Sequence, residues 1–170
     1  MLGGIVLSQV GEISRATAQS GARSGVNFQS GQDFEARFWK WLQSAQYKNW
    51  APQPGKTGDI YEGQSPHGAF LKVYMNRTAD ERPKDLPLGS ILVKKNYGKD
   101  KKTLMAVTVM YRTKGYDSAH NDWYWVKYNP DGTVAKTPPE KGSKPIAGRF
   151  PSCIACHEGA DGNDYSFVND

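Results

Sequence analysis

No apolar run in this sequence approaches the roughly 18 residues that a membrane span needs, which excludes an integral membrane segment. Cysteine is scarce: two residues can close at most one disulfide, so a disulfide-scaffolded miniprotein is excluded too. There is no internal repeat, and no alternation of strands with helices, which argues against a βαβ architecture. An excess of charge is also missing. Charged residues make up 23% of the chain against 12% aromatics, a balance that excludes disorder over most of its length. The net charge of +5 (22 Lys and Arg, 17 Asp and Glu) allows an acidic protein partner, such as a redox partner, but calls for no nucleic acid. What is left is 170 residues with mean hydropathy −0.68, one domain's worth of chain able to bury most of its apolar surface.

Residues 1–29 are rich in Gly, Ser and Gln and hold no strong period. Ala16-Thr17-Ala18 has the small-residue pattern of a signal-peptidase site, but Glu12 and Arg15 interrupt the short apolar run before it. A flexible arm or the remnant of a targeting segment is expected here, with a single domain over 30–170. Ser30-x-x-Asp33 is a capping pattern, and Phe34, Phe38, Trp41, Leu42 and Ala45 follow at helical spacing. An N-terminal amphipathic helix is therefore predicted over 33–45, stopped by Pro52 and Pro54. Beyond it, period-2 alternation marks strands over 69–76, 90–96, 103–112 and 122–128. Asn129-Pro130-Asp131-Gly132 is a turn in which Pro pre-sets φ. The Pro-, Gly- and Lys-rich stretch 136–151 reads as a loop. The predicted fold class is α+β, mainly an antiparallel sheet of four or five strands.

The two cysteines then turn out to be placed for chemistry. They form Cys153-Ile154-Ala155-Cys156-His157, the C-x-x-C-H signature of c-type haem attachment. Two thiols on one turn reach the two vinyl groups of a haem, and the adjacent imidazole becomes its proximal iron ligand. A thioredoxin-like pair would sit early in a βαβ unit. Zinc would need two further ligands, and only His67 and His120 remain apart from carboxylates. One covalently attached haem c per chain, with Cys153, Cys156 and His157 as its residues and His157 on the iron, is the expected cofactor. The position of the motif matters as well. Nothing after His157 is Met or His, and Met75, Met105 and Met110 lie in strand-like alternation, where a core role is the ordinary one. His67 and His120 read as loop residues. A five-coordinate iron with an open distal face is expected; the alternative is a six-coordinate electron-transfer cytochrome.

The chain resembles the cytochrome P-460 family, which includes the cytochromes c′-beta. The resemblance runs over roughly 55–170. It is carried in order by Ser65-Pro66-His67-Gly68, Lys72-Val73-Tyr74-Met75-Asn76, and the run Pro87 to Lys94. Val107-Thr108-Val109-Met110-Tyr111, Gly115-Tyr116-Asp117 and Asn121-Asp122-Trp123-Tyr124-Trp125 follow, then the Cys153–His157 motif and Asp164-Tyr165-Ser166-Phe167. It implies a β-rich subunit, usually a homodimer, with a five-coordinate haem c. The resemblance also implies a choice. In P-460 members a lysine is joined covalently to the haem and hydroxylamine is oxidised; cytochromes c′-beta lack that bond and bind nitric oxide in an apolar distal pocket.

Lys94 falls where the cross-linking lysine is expected, though it also opens a basic run to Lys102 that would suit a solvated strand end. Lys94 shares a strand face with Ser90 and Leu92, and Lys95 shares the other with Ile91 and Val93, so one of the two lysines points inward. Phe70 is the candidate for an apolar distal cap, and Glu62 and Asp122 are candidate proton acceptors by proximity in sequence. A hydroxylamine-oxidising enzyme is expected if Lys94 is cross-linked, and a nitric oxide binder if not. Thioether formation needs reduced thiols and haem together, which bacteria arrange outside the cytoplasm, so a periplasmic location is expected.

Overall fold

The structure is a computed structural model that describes residues 32–168; the expected arm over 1–29 and the Ser30 cap lie outside them. Helix α1 spans Gln32–Ser44. Seven strands follow: β1 (Ala51–Pro52), β2 (Tyr61–Glu62), β3 (Phe70–Met75), β4 (Ile91–Tyr97), β5 (Leu104–Arg112), β6 (Trp123–Tyr128) and β7 (Ala147–Gly148). A short helix α2 (Arg77–Asp80) links β3 to β4, and α3 (Pro151–His157) carries the cysteines. The fold is α+β. All pairings are antiparallel, in the order β1-β3-β4-β5-β6-β7, with β2 also on β3.

The four long strands are those that alternation marks in the sequence. The three extra strands are two residues each, too short to show a period. One of them, β7, lies in the stretch 136–151 expected as loop, where Ala147 and Gly148 pair with Val126 and Trp125. Met105 also departs from expectation: it is 58% exposed, whereas Met75 and Met110 are buried.

Register divides the residues between two faces. Tyr74, Val93, Val109 and Val126 stand opposite one another across β3 to β6, and the neighbouring row Met75, Leu92, Met110 and Trp125 faces the other way. The first face is covered by α1, whose buried Phe34, Phe38 and Leu42 recur every four residues. Phe34 meets Tyr124 edge-to-face at 5.1 Å. The Tyr124 hydroxyl donates to Glu35 Oε1 at 2.6 Å, and the Tyr128 hydroxyl to the Glu35 carbonyl at 2.9 Å. Gly132 closes the expected 129–132 turn with φ 88°, and a Cβ there would fall 2.0 Å from Trp39 Nε1, so only glycine fits.

The second face receives α3 and the C-terminal segment. Ile154 and Val168 pack among Val73, Met75, Leu92, Met110, Trp123 and Trp125. Pro151 opens α3 at a position where its missing N–H costs nothing. Because Ile154 and His157 are three apart, both turn toward the sheet and are buried.

Candidate haem site

His157 is 7% exposed and packs edge-on against Trp125, with ring centres 4.7 Å apart. Its Nδ1 lies 2.8 Å from the Tyr165 carbonyl oxygen. A carbonyl only accepts, so Nδ1 carries the proton and Nε2 keeps its lone pair. Burial, with the Lys94 ammonium adding to it, lowers the imidazole pKa to about 4 against the opposing Tyr165 hydrogen bond, so the ring is neutral at pH 7. Tyr165 is itself held, at φ 63°, in a segment tied down by Trp123 Nε1 donating to the Asp164 carbonyl at 2.7 Å. A neutral histidine oriented by a backbone carbonyl is what a metal-ligating imidazole requires.

Cys153 is half-buried and Cys156 exposed, and no disulfide joins them. Burial pushes the Cys153 thiol up to about 11, against the pull of Lys127.

The second sheet face supplies the neighbours. Val73, Lys94, Thr108 and Lys127 are register partners across four strands, forming one row next to the Met75–Trp125 row. Lys94, not Lys95, is therefore the lysine on the face of the motif. It is half-buried, and burial lowers its pKa to about 8, offset in part by Cys156 nearby. The next row holds Leu71, Asn96 and Ala106. Asn96 is 3% exposed; its Nδ2 donates to the Lys94 carbonyl (3.1 Å), the Ala106 carbonyl (3.3 Å) and Thr108 Oγ1 (3.4 Å). Its Oδ1 is left for His67 Nδ1 at 3.1 Å. Burial lowers the His67 pKa to about 3, with Lys94 and His157 adding to it. Gly68 makes this approach possible, since a Cβ there would come within 2.5 Å of the Tyr97 carbonyl at the end of β4. His67, Asn96, Thr108 and Lys127 line a cavity of about 360 Å³ on this face.

The other candidates fall elsewhere. Phe70 is three residues from Val73 and pairs with Tyr97, three from Lys94, so alternation puts it on the sheet face opposite the motif, beneath the Lys101 ammonium. It is not a cap for this site. Asp122 is spent on its own turn, accepting from the Gly115 and Asp117 N–H groups at 3.0 Å each. Glu62 is exposed on β2 opposite Phe70. His120 pairs with Asp117 at 2.8 Å and touches the ring of Tyr165, one layer behind His157. Asn96 and Lys127 carry no motif that marks them in the sequence. Asn96 could have been found from its parity with Lys94 on β4.

These residues fit a covalently attached haem. Two thiols and a neutral imidazole sit on one short helix. The buried Trp125 Nε1 beside His157 finds no hydrogen-bond partner among the described residues, and such an orphan donor implies a group still to be accommodated. Zinc fits poorly: among the described residues no three or more of His, Cys, Asp and Glu converge on a metal-sized site. No helix among them is long and apolar enough to cross a membrane. Residues 37–168 match the family model described as Cytochrome P460, and no curated protein matches the chain at a significant level.

Proposed function

The chain belongs to the cytochrome P460 family and is thereby a haem cytochrome, and we propose that it carries a single haem c with which it binds or transforms small nitrogen oxides. Cys153 and Cys156 would form the thioethers and His157 would be the proximal iron ligand. The observation that carries the reading is the state of His157: buried, neutral and fixed through Nδ1, so that its free lone pair is on Nε2. When bound, a haem iron so held would supply a redox-active metal that nitric oxide or hydroxylamine could bind.

The chain's own residues would surround the bound group. Lys94, Asn96, Thr108 and Lys127 stand in two adjoining rows on the face that α3 covers. The lowered pKa of Lys94 leaves an appreciable fraction of neutral amine near pH 8, the form that can bond to a haem edge. Hydroxylamine oxidation belongs to the reading in which Lys94 is so bonded, and nitric oxide binding to the reading in which it is not. Periplasmic residence follows from the thioether chemistry, and homodimer formation and an acidic redox partner accompany the same proposal.

Proteolysis of the purified protein tests the attachment and the choice together. Haem retained on a fragment holding Cys153 and Cys156 supports the haem c, and a haem fragment that also holds Lys94 supports the enzyme. Haem that extracts freely into acidic organic solvent would overturn the attachment.

A further inference from the structure

Resting on the haem reading above, we propose that His67 is a second axial ligand, occupying the sixth position until a small ligand displaces it. The argument begins with Asn96. Its amide orientation is set because Nδ2 faces three acceptors, the Lys94 and Ala106 carbonyls and Thr108 Oγ1. Oδ1 therefore faces His67 and can only accept, so His67 Nδ1 carries the proton and Nε2 the lone pair. His157 has the same tautomer for the same reason, with the Tyr165 carbonyl as its acceptor.

Two imidazoles thus stand on different elements, each tied at Nδ1 by an acceptor and each with its other nitrogen unprotonated. Their ring centres are 6.1 Å apart and their planes 88° to each other. A metal about 2 Å from one nitrogen of each ring separates two imidazole centres by roughly 6 Å. An edge-to-face ring contact alone would account for the spacing. It gives no reason for a buried asparagine, fully committed to β4 and β5, to fix the tautomer of a turn histidine, which is the usual support for a ligating one. The turn is held close by the His67 N–H donating to the Gln64 carbonyl (3.0 Å) and the Gly63 N–H donating to the Ala69 carbonyl (2.9 Å).

A displaceable His67 makes the site a gated one. A small ligand binds only the fraction of molecules in which the imidazole has moved away, so its apparent affinity falls by that fraction.

The test reads the spin state of the ferric holoprotein by electron paramagnetic resonance and optical absorption. Wild type is expected to be six-coordinate and low-spin. His67→Ala and His67→Gln are expected to be high-spin, and added imidazole should return His67→Ala to low spin. Carbon monoxide should bind the ferrous His67→Ala protein faster and more tightly than wild type. Lys94→Ala should stay low-spin. A high-spin ferric wild type, measured on the intact protein and so independent of any variant's folding, would overturn the proposal. So would a low-spin signal that survives in His67→Ala or disappears in Lys94→Ala, the last identifying the amine as ligand. A protein without covalent haem gives neither spectrum and sinks the haem reading instead, so the two failures are distinct.

Discussion

The two faces of the sheet are built from neighbouring residues of the same strands, yet they differ in kind. Beneath α1 the row reads Tyr74, Val93, Val109 and Val126, and on the same face the hydroxyls of Tyr124 and Tyr128 go to Glu35. Beneath α3 the corresponding row reads Val73, Lys94, Thr108 and Lys127, and the buried Trp125 Nε1 goes unpaired among the described residues. The first face is satisfied by its own chain. The second is polar, cationic and incomplete, which costs stability unless something else binds there. One sheet thus separates the work of staying folded from the work of holding a cofactor.

The sharpest way to break this division is to damage the α1 face. Phe38 is fully buried, and Phe38→Ala should cost about 3–5 kcal/mol in urea denaturation. The haem spectrum of the molecules still folded should not change; a shifted spectrum would mean that the faces are coupled.

The next effect is on the site face and is set by protons. In a haem-free chain, made by replacing Cys153 and Cys156 with Ser, His67 and His157 stay neutral down to about pH 3 and 4. In the unfolded chain they take up protons near pH 6.5. The unfolded state binds more protons between these values, so stability is whole above pH 6.5 and falls as pH drops below it. Each histidine contributes at most about 1.4 kcal/mol per pH unit to the loss. His67→Asn should remove its share of that slope, and an unchanged slope would place the acid sensitivity elsewhere.

The smallest effect belongs to Lys94, whose ammonium makes no hydrogen bond or ion pair among the described residues. Its pKa of about 8 lies below that of the unfolded chain, so the haem-free protein should gain stability as pH rises from 8 toward 10. Lys94→Leu should abolish that gain and leave the protein more stable than the parent at pH 7, since it removes an ammonium whose burial is a cost there. A large loss would show that the amine holds a partner.

Much of the fold and of the site is legible in the sequence. Period 2 marks the long strands because each has one face under α1, and the parity of Ser90, Leu92 and Lys94 separates Lys94 from Lys95. Cys153, Cys156 and His157 are legible because attachment chemistry fixes their spacing. The place of Phe70 is not legible, because alternation groups it with Lys72 and Tyr74 but says nothing about which group faces Lys94; that depends on the register of β3 against β4. His67 lies in a loop by pattern and is one of five Met and His residues upstream of the motif that could reach the iron; its approach to Asn96 depends on Gly68 lying against the end of β4. No periodicity records such a contact.

The order of the elements along the chain has a consequence for the site. Every strand precedes Cys153 in the sequence, so the whole sheet is encoded before the thiols. The segment that steadies His157, from Asp164 to Val168, comes later still. The His157 ring is therefore steadied by residues that follow it in the chain, above a sheet made wholly of residues that precede it.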